Sequence, residues 1–181
     1  MELRKADFKN EEEMNTLKEM YNEAFPAEER APFKMLIKRS KKGKAELYSL
    51  VDDQKCCGMV YMVCFGDMAY LFYFAVKQEL RGQGLGTKAL KAVLKKYQDK
   101  RLFLALEDWK LPSDNPEQRQ KRHEFYQRCG LHDLPYHIKE ASVVYAIMGN
   151  GEKIEPEEYK QLINHYLGFI MRKIVDMRII K

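Results

Sequence analysis

Three glycines within five residues, Gly82, Gly84 and Gly86, separate an apolar run of the sequence from an amphipathic one. Glycine reaches backbone conformations that are closed to other residues, and it has no Cβ to obstruct a ligand. Such residues can turn consecutive N–H groups toward one point, and a helix that follows adds its unpaired N–H groups and the positive end of its dipole. Arg81 and Lys88 flank these glycines, and we refer to residues 81–88 as the glycine loop. The pattern predicts a cradle for phosphate, such as a pyrophosphate, in preference to a tight turn without a ligand.

Two other phosphate-binding motifs fit the glycine loop less well. The nucleoside-triphosphate loop requires G-x-x-x-x-G-K-[ST], which GQGLGTK does not supply. The dinucleotide fingerprint is matched by Gly84-x-Gly86-x-x-Ala89, with Glu107 about twenty residues further on. In that fingerprint the first glycine follows its strand almost directly, whereas KQELR intervenes here after Val76. A dinucleotide-binding oxidoreductase is therefore the less favoured alternative.

The elements that must position the loop follow from hydrophobic periodicity and from cap and turn residues. In chain order they are a strand (ELRKAD), a helix capped by Asn10 and ending before Pro26, a second helix (AEERAPFKMLIKRS), three strands (ELYSLVDD, CCGMVYMVCF, MAYLFYFAV), a helix (GTKALKAVLKKYQ), a strand (RLFLALED), a helix (NPEQRQKRHEFYQRC) and a hairpin (PYHIKEA, SVVYAIMG). The three central strands read as an antiparallel meander. This mixed order predicts an α+β fold.

The C-terminal segment reads as one long, partly apolar helix over residues 155–177. Its apolar side chains include Tyr159, Leu162, Ile163, Tyr166, Leu167, Ile170 and Ile174. We expect one main domain over residues 1–150, and a helical extension over residues 151–181 that packs on this domain or on a partner in a homodimer.

Composition narrows the class of protein. The chain has 181 residues, 45% of them hydrophobic and 33% charged, which is typical of a globular protein. The formal net charge of +5 favours anionic ligands, but no RNA-binding or recognition-helix signature accompanies it, so we expect no nucleic acid partner. No CxxC pair occurs among the four cysteines, so we expect free thiols and no metal site. The sequence has neither a membrane-spanning run nor an apolar signal segment, and we expect a cytoplasmic protein.

The glycine loop also carries a family resemblance. RGQGLG satisfies [RQ]-x-x-G-x-[GA] and resembles the acetyl-CoA loop of the GNAT superfamily of N-acetyltransferases. HEFYQRCGL is similar to the family's F-Y-x-x-x-G-F segment, with Leu131 where phenylalanine is usual, and FPAEERAPF resembles the second-helix region of some bacterial members. The resemblance covers about residues 2–148. It implies a twisted, mostly antiparallel sheet of six to seven strands, with flanking helices and a splayed, bulged fourth strand.

The resemblance implies acetyl-CoA as the co-substrate and assigns residues to it. The pyrophosphate-binding residues would be Arg81, Gly82, Gln83, Gly84, Leu85 and Gly86, with Thr87 and Lys88 opening the helix. The backbone of Phe74, Ala75 and Val76 would pair with pantetheine and the acetyl carbonyl. Tyr126 occupies the position where many members keep a tyrosine near the thioester sulfur. Arg119 stands where many relatives carry asparagine, which departs from the family pattern.

Acetyl transfer to an amine has three chemical requirements. An alkylammonium with a pKa near 10.4 must lose a proton before it attacks, and Glu107, or else Asp108, is the candidate base. The tetrahedral oxyanion needs a fixed donor, which the N–H of Val76 can provide. The departing thiolate, whose thiol has a pKa near 8.5, benefits from a proton donor, and Tyr126 is the candidate. For both Tyr126 and Glu107 a purely structural role stays open, as packing and as surface solvation respectively.

These residues predict an N-acetyltransferase that acts on a primary amine of a small molecule or peptide. The alternative is a catalytically silent GNAT-like module that binds CoA or a partner. Trp109 is a candidate wall for the acceptor, and packing is the other interpretation of that side chain.

Overall fold

The computed structural model describes residues 1–140, 142–151, 153–171 and 177–180. Within these residues the helices are α1 (Glu11–Ala24), α2 (Phe33–Lys41), α3 (Leu85–Lys96), α4 (Pro116–Arg128) and α5 (Pro156–Met171). The strands are β1 (Glu2–Lys5), β2 (Glu46–Asp52), β3 (Lys55–Phe65), β4 (Met68–Val76), β5 (Arg101–Glu107), β6 (His132–Glu140), β7 (Val143–Gly149) and β8 (Met177–Ile180). A mixed, mostly antiparallel sheet of these eight strands with flanking helices confirms the predicted α+β fold.

The chain divides into two compact units. The first comprises Met1–Val63 and Leu71–Lys96, and the second comprises Cys64–Tyr70 and Tyr97–Lys181. In the first unit the strand order is β1-β2-β3-β4, with β1 and β3 both antiparallel to β2. In the second unit the start of β4 pairs in parallel with β5, and β7, β6 and β8 follow with antiparallel pairing. The glycine loop thus belongs to the first unit. The domain boundary at residue 150 stays a prediction.

Helices α1 and α2 of the first unit begin directly after a capping residue and a proline, respectively. Asn10 caps α1, because its side-chain oxygen accepts a hydrogen bond from the N–H of Glu13 at 3.1 Å. The second predicted helix is divided in two: a 3₁₀ turn covers Ala27–Glu29, and α2 begins only at Phe33. Pro32 explains the break, since it disfavours helical geometry at the residue before it and is well suited to a helix start.

The C-terminal segment differs from its prediction. Helix α5 ends at Met171, and Gly168 inside it has non-helical angles (φ 73°, ψ 175°). The chain then contributes β8, which pairs antiparallel with β6, so the sheet has eight strands rather than six to seven. The predicted helical position Ile174 lies outside the described residues. No described helix, α5 included, is long and apolar enough to cross a bilayer.

Helix α5 is nonetheless firmly packed within the second unit. Tyr159, Leu162, Ile163 and Tyr166 are buried, and the ring of Tyr159 lies 5.9 Å from that of Phe103 on β5. Arg101, at the start of β5, binds both carboxylate oxygens of Glu158 on α5 at 2.7 and 3.0 Å. Packing on the same chain is therefore observed for α5, whereas a contact with a dimer partner stays a prediction.

One carboxylate beside α5 makes stability depend on pH. Burial raises the pKa of the Glu140 carboxyl, which accepts a hydrogen bond from the hydroxyl of Tyr159 at 3.3 Å. The folded chain therefore holds this proton to a higher pH than the unfolded chain, and wild-type stability falls as pH rises from the ordinary value of 4.5 through the raised one. We expect Glu140→Gln to gain stability relative to wild type between pH 4.5 and pH 8, as measured by urea unfolding. Glu117→Gln, at a side chain 87% exposed, is the control, and equal pH dependence of wild type and Glu140→Gln would contradict the prediction.

Candidate active site

The end of β4 and the adjoining part of β3 approach each other unusually closely in the first unit. The N–H of Lys77 donates to the carbonyl of Cys57 at 2.9 Å. A Cβ built on Gly58 would lie 2.4 Å from the carbonyl oxygen of Ala75 and 3.2 Å from Cα of Val76, so only glycine fits there. In the first unit, a register shift is described between β2 and β3, at Leu50 and Val51. The bulge predicted for β4 itself stays a prediction.

Two of the three glycines in the loop are required by their backbone angles, and the third lies within a helix. Gly82 and Gly84 have positive φ angles of 79° and 76°, which side-chain-bearing residues adopt only at a cost. A Cβ added to either would meet no atom within 4 Å, so the backbone angle rather than crowding requires glycine there. Gly86 lies inside the first turn of α3, which begins at Leu85, one residue earlier than predicted.

The glycine loop contains a row of backbone N–H groups for which the described residues supply no recorded acceptor. The first hydrogen bond at the start of α3 runs from the N–H of Lys88 to the carbonyl of Gly84 at 3.1 Å. The N–H groups of Leu85, Gly86 and Thr87 belong to the first helical turn and therefore have no intrahelical acceptor. In the described part of the chain no other acceptor is recorded for them. This row is a ready site for an anion.

Positive charge is also concentrated around the glycine loop. Residues 77–96 contain six lysine or arginine side chains and a single carboxylate, Glu79. This local excess equals the formal net charge of +5 for the whole chain. Arg81 also links the loop to the strand before it, since its Nε donates to the carbonyl of Val76 at 3.2 Å. The end of β4 and the start of α3 are thereby tied into one positively charged segment.

Tyr126 lies on α4 in the second unit and is only 9% exposed. Burial raises the pKa of its phenol to about 12, although the guanidinium of Arg122, one turn away, pulls that pKa down. The side chain is therefore protonated throughout the neutral range and available as a hydrogen-bond donor. Whether it serves the thioester stays a prediction.

Glu107 ends β5 and is held by two arginines of α4. One carboxylate oxygen accepts a hydrogen bond from Arg119, and the other lies 3.4 Å from a terminal nitrogen of Arg122. Arg119 also donates to the backbone carbonyl of Asp108 at 3.4 Å. Because both oxygens of Glu107 already face guanidinium groups, this geometry favours an anchor for α4 over a free proton acceptor. The role of Glu107 as a base stays a prediction.

The side chain of Asp108 lies beside a histidine, whereas that of Glu107 faces two arginines. Its N–H donates to the carbonyl of Val144 at 2.9 Å, and its Oδ1 accepts the N–H of Lys110 at 2.9 Å. Its Oδ2 lies 3.3 Å from Nε2 of His137 on β6. Sequence reasoning identified Asp108 but missed His137 and Arg122, because neither stands near its partner in the sequence.

Trp109 packs against the protein rather than forming a free wall. Its ring stacks on the buried His123 with centroids 4.4 Å apart and planes inclined by 26°. Nε2 of His123 in turn lies 2.8 and 2.9 Å from the carboxylate oxygens of Asp133. This stack secures the segment after β5 on α4. Among the described residues no group of three or more His, Cys, Asp or Glu side chains is arranged to hold a metal ion.

Comparison with known families assigns the chain. The sequence profile of the Acetyltransferase (GNAT) family matches residues 14–131, more than half of the chain. This chain belongs to the GNAT acetyltransferase family. The matched segment includes the glycine loop, Glu107 and Tyr126, and ends just before β6. No curated protein sequence matches the chain significantly.

Solved GNAT structures share the fold at low sequence identity. An acetyltransferase assigned to the GNAT family from Bacteroides thetaiotaomicron is 22% identical with a TM-score of 0.76, covering 94% of this chain and 97% of its own. An aminoglycoside 6'-N-acetyltransferase complexed with coenzyme A is 15% identical with a TM-score of 0.66, covering 86% of this chain and 100% of its own. The ribosomal-protein-S18-alanine N-acetyltransferase from Escherichia coli is 15% identical with a TM-score of 0.62, covering 86% and 97%. All three identities are below 25%, so these likenesses show the fold alone.

Proposed function

We propose that this GNAT-family chain transfers an acetyl group from acetyl-CoA directly to a primary amine of a small molecule or peptide. The observation that carries the proposal is the row of N–H groups of Leu85, Gly86 and Thr87 at the positive end of α3, which have no recorded acceptor within the described ranges. A diphosphate matches this row in charge and in its need for hydrogen-bond donors. A GNAT relative solved with coenzyme A supports the choice of ligand.

The glycine loop would bind the diphosphate and the end of β4 would bind the rest of the co-substrate. In this proposal Arg81, Gly82, Gln83, Gly84, Leu85, Gly86, Thr87 and Lys88 contact the diphosphate, and the backbone of Phe74, Ala75 and Val76 contacts pantetheine and the acetyl carbonyl. The hydrogen bond from Nε of Arg81 to the carbonyl of Val76 links these two parts. A strand-end N–H such as that of Val76 would stabilise the oxyanion of the tetrahedral intermediate.

Tyr126 would assist departure of the sulfur. Complete proton transfer from a phenol with a pKa of about 12 to a thiolate whose thiol has a pKa near 8.5 is uphill by roughly 5 kcal/mol. Its contribution is therefore a hydrogen bond to the sulfur as negative charge develops there, and the proton for the thiol comes from the attacking nitrogen. Such a bond is strongest where the acceptor is charged, which is late in the reaction.

Two assays test the proposal. Thermal-shift titration with acetyl-CoA, CoA and NAD should stabilise the chain with the first two alone, by about 2.7 kcal/mol when the ligand is at a hundredfold excess over its Kd. Thiol release should then be followed with spermidine, kanamycin, an alanine-starting peptide and a lysine-containing peptide as acceptors. We expect release of CoA with at least one amine. Stabilisation by acetyl-CoA without release from any amine would favour the binding module, and stabilisation by NAD alone would contradict both.

A further inference from the structure

Strand β3 of the first unit carries a β-bulge beside the end of β4. Leu50 on β2 is in register with Gly58 on β3. The next residue of β2, Val51, is in register with Cys56. Strand β3 therefore advances two residues while β2 advances one, and Cys57 is the extra residue. A bulge of this kind bends its strand, increases the local twist and is common next to active sites.

Cys57 has recorded partners on both sides of the bulge. Its thiol donates a hydrogen bond to the carbonyl of Leu50 on β2 at 3.3 Å. Cys57 is 2% exposed, and burial raises the pKa of its thiol, so the thiol stays protonated and remains a donor at neutral pH. The carbonyl of Cys57 accepts the N–H of Lys77, directly after β4, at 2.9 Å. The bulge is thus tied to β2 on one side and to the end of β4 on the other.

Gly58 leaves room for the backbone of β4. A Cβ at this position would lie 2.4 Å from the carbonyl oxygen of Ala75 and 3.2 Å from Cα of Val76. Both are backbone atoms, so the end of β4 occupies the space in which a side chain at position 58 would stand. Gly58 is not one of the glycines with a positive φ, so crowding rather than the backbone angle requires glycine. The opposite holds for Gly82 and Gly84 in the glycine loop.

Three contacts together determine the orientation of the peptide groups at the end of β4. The carbonyl of Ala75 packs against Gly58, and the carbonyl of Val76 accepts a hydrogen bond from Nε of Arg81 at 3.2 Å. The N–H of Lys77 is held by the bulge. Because consecutive residues are held in this way, the backbone from Ala75 to Lys77 has little freedom to rotate.

We propose that the bulge at Cys57 and Gly58 positions the end of β4 for the pantetheine arm and the acetyl group of acetyl-CoA, an inference that rests on the proposed acetyltransferase function. In that function the backbone of residues 74–76 contacts pantetheine, and the N–H of Val76 stabilises the oxyanion. Gly58 is a positioning residue, because it acts through Ala75 and Val76 rather than by touching the co-substrate. The direction of these peptide groups therefore depends on β3.

A single methyl group at position 58 displaces the end of β4. Ordinary contacts of a Cβ begin at 3.4 Å, so the carbonyl oxygen of Ala75 must withdraw by about 1 Å. A misplacement of about 1 Å can lower a rate by about 10². The Cδ1 atom of Leu50, at 2.8 Å from the same Cβ, belongs to a side chain and can rotate away instead. The backbone of β4 has no such freedom.

The test compares wild type and Gly58→Ala with two ligands. Adenosine diphosphate carries a diphosphate but no pantetheine arm, so it addresses the glycine loop alone. Titration calorimetry should show that Gly58→Ala binds acetyl-CoA about tenfold more weakly, a loss of the size expected for a misplaced hydrogen bond, and binds adenosine diphosphate as wild type does. With the panel amine that gives the fastest CoA release, kcat should fall by about 10².

Gly149→Ala is the matched control. Gly149 is also a buried glycine within a strand, but a Cβ there would lie 3.5 Å from its nearest neighbour, the carbonyl oxygen of Leu102, which is ordinary contact. This variant should match wild type in both affinities and in kcat. Urea unfolding of both glycine variants verifies that each one folds.

Further substitutions distinguish displacement of β4 from side-chain crowding and from misfolding. Leu50→Val removes the Cδ1 atom that faces position 58 but does not relieve the clash with the backbone of β4, so adding it to Gly58→Ala should leave kcat low. If Gly58→Ala does not fold, Cys57→Ala takes its place. That substitution removes the donor to Leu50 and should weaken binding of acetyl-CoA but not of adenosine diphosphate, and Cys57→Ser, which keeps a donor, should restore it.

The outcomes separate this inference from the proposed function. Wild-type behaviour of folded Gly58→Ala, an equal loss of affinity for both ligands, or recovery of kcat with Leu50→Val would overturn the positioning role alone. Where Gly58→Ala does not fold, wild-type affinities in Cys57→Ala would do the same. Failure of the wild-type chain to bind acetyl-CoA would overturn the proposed function itself. If the wild-type chain binds acetyl-CoA but acts on no panel amine, the comparison of the two ligands decides the positioning role without kcat.

Discussion

Replacing Gly84 by alanine is expected to weaken acetyl-CoA binding by about tenfold or more. Gly84 has a φ of 76°, and a side-chain-bearing residue in that region costs roughly 1–2 kcal/mol. The loop can relieve this strain only by rotating its backbone, which turns the N–H groups at the start of α3 away from a common point. A loss of about 1.4 kcal/mol corresponds to the tenfold change. Titration calorimetry with acetyl-CoA measures it.

Gly43 provides a matched control for strain. It has a φ of 67°, a built Cβ there also meets no atom within 4 Å, and it lies in the turn after α2. Gly43→Ala should lower the free energy of unfolding by an amount similar to that of Gly84→Ala, yet leave the affinity for acetyl-CoA unchanged. If the two variants bind acetyl-CoA equally well, the cradle assigned to the glycine loop is wrong.

Replacing Tyr126 by phenylalanine is expected to lower kcat by about 10², with the Kd for acetyl-CoA unchanged. Losing one donor aimed at a developing charge typically has an effect of this size. The effect falls on kcat because neutral sulfur in the bound thioester is a weak acceptor, whereas the departing thiolate is a strong one. Steady-state CoA release and calorimetry measure the two quantities separately.

Tyr136→Phe is the matched control for this substitution. Tyr136 on β6 is 2% exposed, and its hydroxyl is buried without a hydrogen-bond partner in the described residues. Removing that hydroxyl therefore makes the same chemical change in a buried ring without removing a known contact. The account expects wild-type turnover in Tyr136→Phe. Equal turnover in both variants would assign Tyr126 to packing against Phe125, the structural role that the sequence left open.

Local chemistry was enough to predict much of the fold. The cap by Asn10 is determined by residues next to each other in the sequence, and it occurs as expected. The helix predicted over NPEQRQKRHEFYQRC forms as α4, with Pro116 in its first turn. The break before α2 was equally local, since Pro32 signals it, and the predicted single helix overlooked this signal. Short-range patterns therefore predict helix boundaries well when every proline is given its full weight.

The C-terminal segment shows where local patterns fail. Four residues, Met177–Ile180, form β8 only because β6 offers a free edge some forty residues earlier in the chain. Nothing in the spacing of nearby apolar residues identifies that partner, and a helical pattern continued across the segment. Gly168, a residue that is unfavourable inside a helix, was a local sign that the helix would be interrupted.

The candidate site shows the same contrast between features set by neighbouring residues and features set by long-range contacts. The glycine loop was predicted because its glycines, its charge and its helix are contiguous in sequence. The pairing of Glu107 with Arg119 and Arg122 depends on how α4 packs on β5. The contact between Asp108 and His137 depends on the strand order β5-β7-β6 and on a bulge in β6. Residues that act through such long-range contacts could be found only after the sheet was known.

Amide hydrogen exchange, measured with and without acetyl-CoA, tests directly whether the backbone N–H groups of the glycine loop bind the ligand. Amides at residues 82–87 should exchange rapidly in the unliganded chain, since no acceptor for them is recorded among the described residues. The account predicts that saturating acetyl-CoA slows exchange at these amides, and that acetyl-pantetheine, which lacks the diphosphate, does not. Tight binding of acetyl-CoA that leaves exchange at residues 82–87 as fast as before would contradict it.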